Sequence, residues 1–389
     1  MCLTMALLKT WCLLPLAALL LLFNVPSSAE VVRSMSDCAE FLLLNKTPEV
    51  PGILEGGNIL DQNRYKPICQ TWRNTKRFLM LYDTINKIPV FSANKYRGDG
   101  VRRRPTGKGL WKKEPQLENN NKIMTPAEMY SHQPVNTDYR NIRSVERGDL
   151  FPSSYAFPVN KKISTFALTN IVPQKKIFNK RSWSRMEKCM KCVLDKYCIN
   201  NDNFPEGFVV NGAQPSTNNL LNNKVNIPSM LWSAFCCYSH SENKWLASAY
   251  WGENTKDSYT YTETLAELHS KLSRENTSGF EVFPGTQCPL NTTVIQLYPN
   301  LKKDCKCPPP ISSAPNVTTS DQLSTISACI RSSCTSEPLR MRHFINVRGK
   351  KCVSVLCLSR TYGISVYVLR KSGCSKEFLP RKHRHICCT

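Results

Sequence analysis

Between residues 144 and 187 the chain gathers side chains able to act on a phosphodiester: Arg147 and Asp149 flank Gly148, and Asn170, Asn179 and Glu187 follow. Cleaving such a bond needs a polarised water, an electrophile that relieves the charge building on phosphorus, and a stabilised leaving oxygen. The polar residues of this stretch fall where hydrolysis around one metal ion needs them. Each has a plainer reading as well. Asn179 suits a helix N-cap, Glu187 an exposed helix surface, and Arg147 an ion-pair link to Glu146 or Asp149.

Three elements must position these groups. Glu146-Arg147-Gly148-Asp149 sits on a loop or strand, and residues 164–171 alternate around Phe166 and Leu168 with the period of a half-buried strand, which Pro173-Gln174 should end. Met186, Cys189, Met190, Val193, Leu194 and Tyr197 then recur at the spacing of a helix with one apolar face. Asn179, Trp183 and Glu187, four residues apart, form a second row beside that face and project toward one site. Together the elements make a compact ββα unit.

With these residues in this order the chain resembles the DNA/RNA non-specific endonucleases of the ββα-metal class. Their core pattern is D-R-G-H-L, then T/S-N-I-x-P-Q, then N, W and E at four-residue steps. The corresponding strings here are ERGDL, TNIVPQ, Asn179, Trp183 and Glu187. The strings ICQ (68–70), LYDTINKIPVFSA, EPQLE, VNIPSMLWSAFCCY and FPGTQCP are similar to the vertebrate branch called endonuclease domain-containing 1 proteins, and the likeness runs over residues 38–288.

The resemblance implies an α+β fold, a ββα-metal nuclease domain with a mixed or antiparallel sheet and helices. It implies Mg²⁺ or another divalent cation as cofactor and DNA or RNA as partner. In that scheme Asn179 is the direct protein ligand of a hydrated Mg²⁺, an ion that keeps most of its waters, and Glu187 holds one of those waters. Arg147 neutralises the phosphate with its planar fork, and Asn170 orients the site from the strand end.

One position departs from the pattern. Family members carry a histidine after Arg-Gly as the general base, and this chain has Asp149; none of its six histidines lies between His132 and His240. A carboxylate with a reference pKa of about 3.9 is a poorer base at neutral pH than an imidazole at about 6.5, and losing general-base catalysis costs about 10²- to 10⁴-fold. Weak or absent hydrolysis is therefore expected. The alternative is a non-catalytic binder of polyanions, either nucleic acid or heparan-type glycan.

The formal charge of +23 favours polyanionic partners without specifying one. Arg102, Arg103 and Arg104, with Lys112 and Lys113, bracket Trp111 in an expected loop, suited to gripping phosphates while the indole stacks on a base or anchors in the core. Residues 301–389 carry sixteen Lys/Arg against four Asp/Glu.

Lys9, the apolar run over residues 11–23 and Ser27-Ser28-Ala29 read as a signal peptide over residues 1–29, and no later run is long enough to span a bilayer. A secreted, extracellular product is expected. Of nineteen cysteines, seventeen remain after cleavage, a density that reads as disulfides with one thiol left over. Cys189-Met-Lys-Cys192 has zinc-like spacing, although disulfide or core cysteines are the readier explanation in a secreted helix. Sequons at Asn45, Asn276, Asn291 and Asn316 suit a glycoprotein.

These features divide the chain into an endonuclease-like domain over residues 30–300, a Pro/Ser/Thr-rich linker over 301–320 and a basic, Cys-rich module over 321–389. In the last, Val353, Val355 and Leu358, then Ile364, Val366 and Val368, suggest two short strands. Arg147-Gly148-Asp149 and Arg97-Gly98-Asp99 both spell an integrin-type tripeptide, the first expected in the site wall and the second in a loop.

Overall fold

The computed structural model describes residues 30–98, 110–118, 130–140, 142–273 and 279–310, together with the backbone of two short strands, Arg342–Phe344 and Ser354–Leu356. The expected signal peptide, Arg102 to Arg104, Asp99, the sequons at Asn276 and Asn316 and most of the expected C-terminal module lie outside the described residues. Asn45 and Asn291 are exposed.

The strands that build the domain, in chain order, are β1 (Glu30–Val31), β2 (Tyr65–Trp72), β3 (Thr75–Asp83), β4 (Ile88–Tyr96), β5 (Val145–Asp149), β6 (Ile171–Lys175), β7 (Gly207–Gln214), β8 (Met230–Ser239), β9 (Lys244–Glu253) and β10 (Tyr261–Glu263). Eight of them form one sheet in the order β1-β2-β3-β4-β7-β8-β9-β10, every neighbouring pair antiparallel. β5 and β6 pair with each other in a separate antiparallel ribbon.

The sheet is apolar on both faces because successive residues of a strand point to opposite sides. Phe78, Met80 and Tyr82 of β3 enter one core, and Leu79 and Leu81 enter the other. This explains near-continuous apolar runs where a one-sided sheet would alternate. The first core also takes Val145, Ile171 and Val172 of the ribbon and the apolar row of the helix Ser184–Tyr197, so the ββα unit lies against this face. The second face is covered by Met35, Phe41, Leu265 and Leu268 among others.

Five disulfides tie the described residues: Cys38 with Cys69, Cys189 with Cys307, Cys192 with Cys305, Cys198 with Cys237 and Cys236 with Cys288. Cys189 and Cys192 therefore hold neither zinc nor each other. They bolt the helix to residues 305–307, which moves the domain end expected at residue 300. Leu301 is fully buried, and Thr262 binds the carbonyls of Pro308 and Pro309. The first ten residues of the expected linker thus belong to the domain. The cysteine left over falls outside the described residues, since all ten described cysteines are paired.

The expected strand over residues 164–171 is also displaced. Residues Val159–Ser164 form a short helix, α1, Leu168–Asn170 a single 3₁₀ turn, and the strand is β6, starting at Ile171. Pro173 and Gln174 are inside it. A proline is tolerated there because β6 pairs on one side only, with β5, and its other edge needs no ladder donor. In the C-terminal unit Arg342–Phe344 pairs antiparallel with Ser354–Leu356. The latter overlaps the first expected strand, and the second lies outside the described residues.

Candidate active site

The chain turns from β6 directly into helix: Lys176–Phe178 is α-helical, Asn179–Trp183 is a π turn, and α2 (Ser184–Tyr197) continues it. Asn179 has helical dihedrals, so it is inside the helix and not its N-cap. The π turn widens the helix by one residue, a feature that often marks functional sites. It also breaks the strict four-residue stacking expected of Asn179, Trp183 and Glu187.

Trp183 turns into the core, only 2% exposed and 5.7 Å from the Phe178 ring. Its indole also favours the charged form of the Glu187 carboxyl. Glu187 is half-buried, and its own backbone carbonyl accepts from the Tyr155 hydroxyl at 3.2 Å. Burial, and after it the charge of Asp149, push the Glu187 carboxyl up to about 8. The two carboxylates therefore face one electrostatic environment from different elements, Asp149 from the end of β5 and Glu187 from α2.

Asn179 meets β5 from the helix side. Its Nδ2 donates to Glu146 Oε2 at 3.5 Å, and Lys180 Nζ reaches Glu146 Oε1 at 2.9 Å. A carboxylate can only accept, so this contact fixes the amide with its NH₂ toward Glu146 and leaves Oδ1 as the atom available to a ligand.

Arg147 does not pair with Glu146 or Asp149. Its guanidinium lies 5.0 Å from the Tyr139 ring centre and 5.8 Å from that of Trp111, and Nη2 donates to the Asn136 carbonyl at 3.1 Å. Its Nε is buried with no partner, and desolvation pulls the guanidinium pKa down. Among the described residues no carboxylate lies within ion-pair distance of it. An arginine gripped by aromatic faces, with unspent donors and no acid, is matched to an incoming oxyanion.

Asn170 has a different task. It is fully buried; its Oδ1 accepts from Phe151 N at 2.9 Å and its Nδ2 donates to the carbonyls of Phe151 and Thr165, each at 3.2 Å. With Asn170 O accepting from Leu150 N at 2.7 Å, it clamps the chain just after Asp149. All its amide atoms are committed, which leaves none for a ligand. Gly148 is required by a close approach, since a Cβ there would stand 2.1 Å from Gln174 Oε1.

Lys112 and Lys113 have different neighbours. Lys112 is held by backbone bonds to Phe166 and Leu168, with its Nζ 5.6 Å from the Trp72 ring, and Lys113 Nζ lies 3.5 Å from the Tyr130 ring. Trp111 is half-buried, edge-on to Phe166 at 5.2 Å and packed on the core, which favours its anchoring role. His132 is engaged with Glu118 at 3.3 Å and Ser131 at 3.0 Å. The tripeptide at Arg147 is part of β5, and Arg97 is ion-paired with Glu206 at 2.5 Å. Sequence reasoning missed Asn136, Tyr139 and Tyr155, which reach the site through tertiary packing and carry no motif.

Among the described residues no three His, Cys, Asp or Glu side chains gather as a metal centre. The donor set of two carboxylates, Asp149 and Glu187, with one amide oxygen fits a hard, largely hydrated divalent cation, which takes one or two carboxylates and lets phosphate complete its shell.

Residues 55–287 match the DNA/RNA non-specific endonuclease family. Two relatives, the Endonuclease domain-containing 1 proteins of Homo sapiens and Mus musculus, are 30% identical over 184 residues and 31% identical over 183. Each alignment covers 44% of this chain and 34% of the relative, so the chain spans about a third of the length of the relatives it matches. Among solved structures, a chain of the EndoG/EndoGI complex is similar with a TM-score of 0.38 and 16% identity, over 55% of this chain and 87% of that one.

Proposed function

Because the chain belongs to the DNA/RNA non-specific endonuclease family, we propose that it engages the phosphodiester backbone of DNA or RNA through Arg147 and a divalent-cation site at Asp149, Asn179 and Glu187, and hydrolyses it weakly or not at all. The observation that carries this reading is Arg147, a cation held between two aromatic rings with no carboxylate partner among the described residues, on the same strand as Asp149.

Each side chain has a part. Arg147 binds a non-bridging phosphate oxygen, and the stacked rings of Tyr139 and Trp111 fix its fork. Asn179 Oδ1 and the carboxylates of Glu187 and Asp149 hold the cation. Trp183 aims Glu187, and Asn170 holds the turn that aims Asp149. A bound Mg²⁺ would supply Lewis-acid stabilisation of the charge developing on the phosphate. What the chain lacks is a base at position 149 that is neutral and proton-accepting at neutral pH.

The deciding experiment measures plasmid DNA and RNA degradation, with and without Mg²⁺, by wild type, Asp149→His and Asn179→Ala. Asp149→His should gain at least about 10²-fold over wild type. Wild type cutting as fast as Asp149→His would sink the idea of lost base catalysis. A Mg²⁺-dependent rise in melting temperature that disappears in Asn179→Ala reads the cation site without reference to turnover.

The five disulfides and the leader expected over residues 1–29 support a secreted glycoprotein working in an oxidising, extracellular setting. Among the described residues no helix is long and apolar enough to cross a membrane. The charge of +23 also supports a second reading, a non-catalytic binder of nucleic acid or heparan-type glycan. Salt-dependent binding to both polymers, repeated after deletion of residues 321–389, separates the readings, because phosphate contacts weaken with salt in proportion to their number.

A further inference from the structure

Away from the residues of the candidate active site, a cavity of about 460 Å³ opens where β3, the end of β4 and the segment after Phe157 meet residues 40–45. Its lining includes five cations, Lys76, Arg77, Lys95, Arg97 and Lys161, and one carboxylate, Glu40. Lys95 and Arg97 are already paired with Glu206, at 2.9 and 2.5 Å. The other three have no carboxylate partner among the described residues. Lys76 Nζ donates to the Asp37 carbonyl, and Arg77 Nη2 donates to the Trp72 carbonyl at 3.3 Å while its Nε is buried without a partner.

Lys161 is the most demanding of the set. It is 7% exposed, and its ammonium donates to Asn94 Oδ1 and to the Lys95 carbonyl at 3.1 Å. The rings of Phe151 and Phe41 lie 5.4 and 5.7 Å from it. Neutral acceptors and ring faces only partly replace the water lost by a buried ammonium. Burial, with the repulsion of Arg77 and Arg97, brings its pKa down to about 7. A chain that sets a buried lysine under an unpaired arginine is matched to an anion from outside.

The shape of the cavity says more about that anion. Its volume lies in the range of small-molecule sites and exceeds what one tetrahedral oxyanion fills. Apart from the exposed Asn45, the remainder of its wall is apolar or aromatic: Leu44 is 57% exposed, Phe157 is 47% exposed, and the half-buried Phe208 lies under the Lys95 ammonium at 5.2 Å. Two large apolar side chains left open to water beside a cluster of donors suit a ligand that has an aromatic ring at one end and a multiply charged oxyanion at the other.

We propose that this cavity is a second ligand site, distinct from the nuclease site, that binds a nucleoside monophosphate: the phosphoryl dianion on Arg77, Lys76 and Lys161, and the base against Phe157 and Phe208. This site shares no residue with the nuclease site and binds its ligand whether or not that site cuts nucleic acid.

The test is calorimetric titration of the full secreted protein with a 5′-nucleoside monophosphate, and in parallel with inorganic phosphate, the free nucleoside and a sulfated heparin disaccharide. The monophosphate should bind with one-to-one stoichiometry at least about tenfold tighter than the other three. Arg77→Gln and Lys76→Gln should each weaken it by at least about fivefold, roughly the loss of one charge-assisted hydrogen bond. Phe157→Ala should weaken the monophosphate and leave inorganic phosphate unchanged. Lys76 is only half-buried, so its replacement keeps the test sound if variants at Lys161 fail to fold. Absence of saturable binding, tighter binding of the sulfated disaccharide, or binding lost in Arg147→Ala but kept in Arg77→Gln would each overturn the proposal.

Discussion

The side-chain amide of Asn170 grips Phe151 at both ends of its backbone, accepting from its N–H at 2.9 Å and donating to its carbonyl at 3.2 Å. Asn170 is fully buried, so water cannot replace either bond when the amide is removed. Asn170→Ala should therefore destabilise the domain by about 2–4 kcal/mol, from one stranded donor and two stranded acceptors. Urea unfolding measures it. A loss under about 0.5 kcal/mol, the usual size of a harmless surface change, would remove the clamp from the account.

Gly148 and Gln174 sit on facing strands, and a Cβ at 148 would stand 2.1 Å from Gln174 Oε1 and 3.0 Å from its Cβ. Gln174 is 1% exposed and has no room to retreat. Gly148→Ala should cost about 1–3 kcal/mol by overpacking. In the background of Gln174→Gly the same change should cost far less, and the double-mutant cycle should give a coupling of about 1 kcal/mol or more. Additive costs would mean that the two residues do not contend for the same space.

These two positions also show what a linear reading can and cannot recover. The apolar row of α2 is legible because a helix repeats its face every 3.6 residues, and Met186, Cys189, Met190, Val193 and Leu194 are indeed buried. The alternation around Phe166 and Leu168 misleads. It is made by residues running from the end of α1 into a 3₁₀ turn, whose side chains are buried by tertiary packing and not by a pleat. Asn179, Glu187 and Arg147 can be picked out as candidates through their spacing. Their supports cannot, because Tyr139 and Tyr155 arrive from elsewhere in space, and a π turn has no sequence period to announce it.

Cys305 and Cys307 bolt residues 305–307 to α2, the helix that bears Glu187. The bridges span 118 and 113 residues, and closing loops of that size limits the unfolded chain strongly. Cys305→Ser with Cys307→Ser, which removes two bridges, should lower stability by at least the amount usual for one native disulfide, about 2–5 kcal/mol. Amide exchange should quicken throughout residues 301–310. Unchanged protection there would mean that packing of Leu301 and the Thr262 hydrogen bonds alone hold the segment.

His269 makes stability depend on pH in a predictable direction. Its Nε2 accepts from the Val282 N–H at 3.1 Å, a bond that only the neutral ring can make, and the ring packs edge-on near Phe280 at 5.9 Å. Burial lowers its pKa from the ordinary 6.5 to about 4. Above about pH 6.5 the ring is neutral in both folded and unfolded chains, and its contribution is fully present. As pH falls from there toward 4, the unfolded chain takes up a proton that the folded chain refuses, so stability drops, by roughly 2–3 kcal/mol once discounted for partial exposure. His269→Gln cannot titrate. The stability gap between it and wild type, measured by urea unfolding at pH 7.5, 6, 5 and 4, should therefore shift against wild type as the pH is lowered. Two curves that stay parallel across that range would show that His269 protonates equally easily in both states.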